Sequence, residues 1–387
     1  MENFEFQNPT KILFGKNQLE KLNQEIPKNA KVLIIYGSSS AEKSGLLDNV
    51  KKQLSEFDYD EYGGIEPNPT YEKLMEVVLF VKKNQINFLL AVGGGSVIDG
   101  VKFIAAASCF EEGIPSDILI KQIPVTKALP LGTVLTLSGT GTEMNGEAVI
   151  SVKSEGSKIP FRSPVIYPKF SILDPTYTYS APLNQISNGI VDTFTHIMEQ
   201  YLTYPVDAYV QDRFAESLLV TLIEEGPKVL HTPTDYTLRA NLMWASTMAI
   251  NGIIGSGVPQ DWSTHIIGHA ITASHNIDHG KTMGAILPAI MEVQKEEKRE
   301  KLLQYAKRVW KIEKGSEEEM IALSIFKTKE FFEIMGVSTK LSSYGLDHTI
   351  IPTVIQSLEP LTDLGITLGE RGSLTLDKVT QVLELSL

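Results

Sequence analysis

Phe88-Leu89-Leu90-Ala91-Val92-Gly93-Gly94-Gly95-Ser96-Val97-Ile98-Asp99 decides how this chain is read. The uninterrupted apolar run Phe88–Val92 predicts a strand buried on both faces. Three glycines then allow a tight turn and leave no Cβ between the backbone and an approaching phosphate. Ser96 reads as the N-cap, with Asp99 in capping-box position, of a helix from Val97 to about Ser108. The free amides and dipole of such a helix start favour a phosphate or pyrophosphate. The stretch is not G-x-G-x-x-G, because Ile98 stands where the last glycine belongs. A strand–helix turn without a ligand would not call for three consecutive glycines.

The flanking sequence repeats the alternation. Lys31–Tyr36 predicts a strand ended by Gly37, and Leu46–Phe57 an amphipathic helix. The turn Pro67-Asn68-Pro69-Thr70 opens a helix over Tyr71–Lys83, and Ala128–Thr136 is a further strand. Apolar strands alternating with helices predict a parallel sheet covered on both faces. Thr136-Leu137-Ser138-Gly139-Thr140-Gly141-Thr142-Glu143 is a second turn of small and hydroxyl residues suited to a cofactor. From Asn184 onward the apolar period is helical, through Asn184–Leu202, Asp207–Val229, Thr237–Ile254, Ser263–Ser274, Gly284–Lys295, Lys298–Val309, Glu317–Met335, Ile350–Glu359 and Leu376–Leu385. The charged stretch Lys295–Lys301 reads as a solvated helix face. Leu173-Asp174-Pro175 marks the change of character, predicting an α/β domain over 1–178 and an all-helical domain over 179–387.

A chain of 387 residues also favours two domains. Its apolar (42%) and charged (21%) fractions are those of a soluble globular protein. A net charge of −12 argues against general nucleic-acid binding. The single cysteine, Cys109, permits no internal disulfide and no thiolate metal site, and it reads as a structural thiol. Neither a signal peptide at Met1–Glu5 nor a membrane-spanning run is visible, so a cytoplasmic location is expected.

Four of the seven histidines, His265, His269, His275 and His279, fall within fifteen residues. Asp192 and His196 stand four apart, as do His265 and His269, so each pair shares a helix face. His279 lies fourteen beyond His265, about 21 Å on an unbroken helix. A break in Ser274–Asp278, with an extended return of about four or five residues, would bring it back. Asp and several His on two helices point to a metal site, with His269 and His275 as possible further ligands. His231 and His348 lie in polar, loop-like contexts. A carboxylate with imidazoles leaves a position open for water or a substrate oxygen, and suits Fe(II) and Zn(II) alike.

The turn Gly37-Ser38-Ser39-Ser40, with Lys43 nearby, carries no acid before Glu42. A site for NAD ordinarily places a carboxylate on the ribose 2′-hydroxyl, where it would repel a 2′-phosphate. Serines there predict NADP(H).

Together these motifs resemble the iron-containing, or group III, alcohol dehydrogenases. The resemblance rests on Gly93–Ser96 with Asp99, Ser138–Glu143, Leu173-Asp174-Pro175, Asp192…His196 and His265…His269…His279-Gly280, and it runs over nearly the whole chain. Gly37–Ser40, Gly257–Trp262 and Tyr344–Asp347 look like the butanol dehydrogenase and NADPH-dependent aldehyde reductase branch. The resemblance implies a Rossmann-like dinucleotide-binding domain and a helical domain, the dehydroquinate synthase-like fold, with the active site in the cleft between them. It implies Asp192, His196, His265 and His279 as metal ligands and His269 near the nicotinamide. Asn68, Gly95, Ser96, Thr136, Thr140 and Lys158 fall where family members contact the cofactor; Gly94, Asp99, Ser138 and Asn145 complete the expected set. A homodimer joined near an N-terminal strand, Phe4–Phe14, is implied as well.

The expected reaction is reversible hydride transfer between a nicotinamide and a small aldehyde, with the metal polarising the oxygen. His269, water or the ribose hydroxyl would deliver the proton. Trp262, Ile266, Ile267, Ala270 and Ile271 suggest an apolar wall for a medium-length aldehyde. A dehydroquinate-synthase-like lyase, a polyol dehydrogenase and a non-catalytic binding protein are the alternatives. The first would need several basic residues for its phosphorylated substrate.

Overall fold

The computed structural model describes residues 1–37, 44–363 and 367–387. These form two compact units. One comprises Gln7–Pro182 and Thr234–Met243, the other Met1–Phe6, Leu183–Pro233 and Trp244–Leu387.

The first unit is built on strands β1 (Lys11–Phe14), β2 (Lys31–Tyr36), β3 (Asp58–Tyr62), β4 (Phe88–Gly93), β5 (Leu131–Leu135) and β8 (Phe170–Leu173), with β6 (Glu147–Val152) and β7 (Ser157–Arg162) forming a separate antiparallel pair. The six-stranded sheet has the order β1-β8-β5-β4-β2-β3, and every pairing is parallel. Successive residues of the central strands enter different cores. Leu33, Ile35, Leu89 and Ala91 pack on one side with helices α2 (Tyr71–Asn84) and α3 (Gly95–Cys109). Val32, Ile34, Phe88, Leu90 and Val92 pack on the other with α1 (Leu46–Gln53). This alternation makes a continuous apolar run the correct signature for a doubly covered sheet. From β2 the chain moves outward to β3, and from β4 it moves the opposite way to β5. The carboxyl ends of β2 and β4 therefore flank a topological switch point, where open α/β sheets bind ligands.

Several expectations need correction. The first helix stops at Gln53, and Asp58–Tyr62 is an edge strand. Its polar sequence hides it, because β3 is held by its backbone to β2 while Glu61 pairs with Lys51 at 2.7 Å. Charge of this kind protects an edge from further pairing. The N-terminal strand begins only at Lys11 and lies within the chain's own sheet. Cys109 is half-buried, and burial raises its thiol pKa. The serine turn, Ser38, Ser39, Ser40 and Lys43, lies outside the described residues.

The second unit is helical: α4 (Leu183–Tyr201), α5 (Tyr209–Val229), α7 (Ser263–His275), α8 (His279–Val293), α9 (Arg299–Arg308), α10 (Glu317–Ile334), α11 (Ile350–Asp363) and α12 (Leu376–Ser386). The intervening helix α6 (Tyr236–Ala249) begins in the sheet unit. There Arg239 donates to the Thr178 hydroxyl at 2.9 Å and carbonyl at 2.6 Å. The helix ends before the expected Ile254, ahead of Gly252 at φ +94°. Among the described residues, no helix is long and apolar enough to cross a membrane. In the segment Lys295–Lys301, Lys295, Glu296, Glu297 and Glu300 are exposed as expected, but Lys298 and Lys301 are buried and ion-paired, Lys301 with Asp212.

Phe170 stacks on Phe88 across the sheet at 6.2 Å and is 1% exposed. Phe170→Ala is expected to cost about 3–5 kcal/mol, read by urea denaturation of the sheet unit. A loss below about 1 kcal/mol would mean the core collapses around the gap.

Candidate active site

In the sheet unit, α3 starts at Gly95, two residues earlier than expected. Gly94 is its N-cap, so Ser96 lies inside the first turn and no Ser96–Asp99 capping box forms. The glycines serve packing. A Cβ on Gly93 would lie 2.8 Å from Val97 Cβ, on Gly94 3.1 Å from Leu137 Cβ, and on Gly95 2.9 Å from Thr140 Cβ. The turn is thereby pressed against the Thr136–Glu143 loop, while the first amides of α3 keep the anion-favouring position of any helix start.

Asp99 is a brace. Its carboxylate accepts from the Thr142 hydroxyl at 2.6 Å and from Val149 N–H at 3.0 Å. Lys102, fully buried one turn on, donates to the Thr142 carbonyl and hydroxyl, Asn145 Oδ1 and the Glu147 carbonyl at 2.6–2.8 Å. Burial pulls the Lys102 pKa down to about 8, against the pull of Asp99. Asn145 Oδ1 also accepts from Glu147 N–H, so this side chain belongs to the brace. Thr136 donates its N–H to the Gly93 carbonyl, and Ser138 and Thr140 are half-buried on the same loop. The Thr140 hydroxyl oxygen is buried and unpartnered. Asn68 sits at φ +54°, and Lys158 lies opposite Ser151 on β7, where its charge acts on Asp99. Lys102 escaped the sequence reading, although it follows Asp99 by three residues on the same helix face.

In the helical unit, α4 places Asp192, His196 and Glu199 on one buried face. Helix α7 brings His265 and His269, and α8 opens with His279. Asp192 Oδ1 lies 3.3 Å from His279 Nε2, 3.7 Å from His265 Nε2 and 3.9 Å from His196 Nε2. Asp192, His265 and His279 offer donor atoms within 4.8 Å of one another. His196 falls outside that group of three but stacks on His265 at 4.6 Å. Bonds of about 2.1 Å in a tetrahedral site put ligand atoms about 3.4 Å apart. The observed spacings fit a single ion, and His265 Nε2 is buried without a hydrogen bond.

The return that brings His279 back is shorter than expected. Helix α7 runs to His275, and only Asn276–Asp278 separate it from α8. A Cβ on Gly280 would lie 2.6 Å from the Asn188 carbonyl oxygen, so bare backbone lets the start of α8 press onto α4. His269 is half-buried, its ring 5.0 Å from that of His279. His275 lies about 15 Å along the helix from His265, its Nδ1 2.7 Å from the Ser274 hydroxyl. It does not join the cluster, and His231 and His348 are exposed. Ile267 and Ile271 face the hydrophobic core, against which Ile266 and Ala270 also pack. Ile267 and Ile271 are therefore core rather than substrate wall, while Trp262, half-buried, lies against the His196 and His265 rings.

Glu199 is the residue that sequence reasoning missed. It is 3% exposed, and its Oε1 accepts from His265 N–H at 3.0 Å and lies 3.1 Å from His265 Nδ1. A carboxylate on the distal nitrogen fixes the tautomer that turns Nε2 toward a metal. Its position three residues after His196 was the available signal. Burial lowers the His265 pKa, yet Asp192 and Glu199 together outweigh burial and raise it to about 9.

Both halves of the chain match known family models. One described as iron-containing alcohol dehydrogenase covers residues 9–175, and one described as the Fe-containing alcohol dehydrogenase family, C-terminal, covers 186–385. The NADPH-dependent aldehyde reductase YqhD of Escherichia coli (strain K12) is 51% identical over 99% of both chains. Its crystal structure superposes with a TM-score of 0.97 over 100% of this chain and 99% of that one. The structure of NADH-dependent butanol dehydrogenase A from Thermotoga maritima gives 0.95 at 34% identity, covering 100% and 99%.

Two outcomes test the site. Gly280→Ala should lower Zn(II) affinity at least about tenfold by chelator competition, because His279 must move away from Asp192; unchanged affinity would show that α8 accommodates the methyl group. In metal-free protein the His265 imidazolium stabilises the fold. That contribution is complete below the ordinary histidine pKa of 6.5 and is lost as pH rises through about 9. Zn(II) must displace the same proton, so its affinity should climb between those pH values. A flat profile would place the proton elsewhere.

Proposed function

This chain belongs to the iron-containing alcohol dehydrogenase family, and from that premise we propose that it is an NADP(H)-dependent aldehyde reductase and alcohol dehydrogenase acting on a small alcohol/aldehyde pair. The observation that carries this reading is the convergence of Asp192, His265 and His279 donor atoms in a buried setting, with His196 beside them. These four residues would hold Fe(II) or Zn(II). When bound, the metal supplies Lewis acidity for the substrate oxygen and the nicotinamide supplies the hydride.

The chain's own residues do the rest. Glu199 orients His265 and sets its tautomer. His269, half-buried and adjacent to His279, is placed to hold or pass a proton. On the nucleotide side, the amides of Gly94, Gly95 and Ser96 would hold the pyrophosphate, at the switch point after β4. Asn68, Thr136, Ser138, Thr140 and Lys158 would contact the nucleotide, while Asp99 and Asn145 hold the loop in place. The sheet unit would thus serve the nucleotide and the helical unit the metal, a division near the expected 178/179 boundary except that Met1–Phe6 and Thr234–Met243 change sides. The preference for NADP(H) is supported by the 51% relative named NADPH-dependent, against the 34% relative named NADH-dependent. Phe4 and Phe6, 50% and 44% exposed, leave apolar surface at the N-terminus suited to a homodimer contact. A cytoplasmic location is consistent with the nicotinamide substrate and the lone cysteine.

The test is butanal-dependent oxidation of NADPH and NADH by protein stripped of metal and reloaded with Zn(II) or Fe(II). Turnover should return only with metal, with kcat/KM at least about tenfold higher for NADPH, a margin of about 1.4 kcal/mol. No turnover with either metal, despite NADPH binding, would overturn the reading, and a preference for NADH would overturn its cofactor half.

A further inference from the structure

The lysine that interrupts the expected solvated face is the centre of a second buried cluster. Lys298 Nζ donates to Asp261 Oδ2 at 2.6 Å, to both Glu370 oxygens at 2.8 and 3.1 Å, and to the Leu202 carbonyl at 2.8 Å. The side chains of Lys298, Asp261 and Glu370 are 2%, 3% and 6% exposed. None of them belongs to the group of metal donors.

The partners of this ammonium have a common feature. Leu202 directly follows α4, the helix that carries Asp192, His196 and Glu199. A cation on a carbonyl at a helix C-terminus is favoured by the helix dipole. Asp261 stands just before α7, the helix that carries His265 and His269. Its other oxygen, Oδ1, accepts from Ser263 N–H at 2.9 Å and so satisfies the first free amide of α7. The Asp261 N–H in turn donates to the Glu199 carbonyl at 2.9 Å. One ammonium therefore grips the end of one ligand helix and, through Asp261, the beginning of the other. Between them Trp262 takes φ +64°, a left-handed conformation that a bulky residue adopts only when its surroundings impose it. His265 is three residues beyond this turn.

We propose that Lys298, with Asp261 and Glu370, is a positioning clamp that sets the register of α4 against α7 and thereby the spacing of the metal donors. Burying an ammonium with two carboxylates is a poor way to gain stability, since apolar residues of similar size do as well. What such a cluster does provide is directional constraint, and here the direction runs along both ligand helices. The inference rests on the metal reading above.

Co(II) substitution separates the two. Wild-type protein, Glu370→Gln, Lys298→Met and, as a control, Lys301→Met are compared for Co(II) affinity, visible d–d spectrum and thermal unfolding without metal. Lys301 pairs with Asp212 and lies over the Tyr201 ring at the end of α4, so its loss disturbs that helix end while leaving every Lys298 bond in place. Glu370→Gln and Lys298→Met should lose about tenfold or more in Co(II) affinity and shift the d–d bands. Lys301→Met should lower the unfolding temperature and leave the spectrum as it was. Wild-type affinity and bands in Glu370→Gln and Lys298→Met would overturn the clamp, as would a change in Lys301→Met equal to theirs. Should Lys298→Met fail to fold, Glu370→Gln alone decides between these outcomes. If wild-type protein and His265→Ala bind Co(II) equally weakly, the metal site itself falls and the clamp with it.

Discussion

Asp192 is a carboxylate held 4% exposed beneath three imidazoles. A buried carboxylate without a cation is strongly destabilising, so the helical unit is organised around supplying positive charge at one point. Without metal, the His265 imidazolium provides it; a metal ion held by the same donors would take over that role. Neither can be supplied by one element alone. Helices α4, α7 and α8 each bring a donor, which requires close backbone approach at Gly280 and a turn of only three residues before His279.

The sheet unit solves a related problem with different materials. A helix start binds an anion only if the loops beside it leave the amides accessible and hold still. Asp99 and Lys102 do the holding. Both sit on the first turns of α3, and both are bonded to Thr142, whose loop also carries Thr140. The glycines then let turn and loop meet without side chains between them. Fixed charge set behind a binding surface, rather than in it, recurs at Glu199 and again at Lys298.

Much of this was legible in the sequence. Phe88–Gly95 read as a buried strand and glycine turn because a parallel strand covered on both faces has no polar residues to interrupt it. The spacing of Asp192, His196, His265 and His269 is a property of helix geometry and survives any context. The edge strand Asp58–Tyr62 was illegible because its stabilisation is backbone pairing to β2, which leaves no apolar alternation. The helix start at Gly95 was misplaced because Ser96 has the chemistry of a cap, yet the close contacts with Leu137 and Thr140 put Gly94 there instead. The bonds of Asp99 and Asn145 to the loop behind were illegible because polarity near a phosphate turn looks alike whichever way it faces.

The same ambiguity explains Lys295–Lys301. A window of sequence registers charge but not its partner, and a lysine bonded to a glutamate seventy-two residues away is indistinguishable from one in water. The distinction lies in what the charge can reach. Lys295, in the turn after α8, bridges to Glu292 near that helix's end, half-exposed, where such pairs contribute little. Lys298, three residues on and turned inward, meets a helix end, the carboxylate that holds the first amide of α7, and a second carboxylate at once. Burial removes the screening that makes the first pair weak and makes the second dependent on exact placement. Charge buried this way stabilises poorly but constrains strongly, and a metal centre assembled from separate helices depends on that constraint.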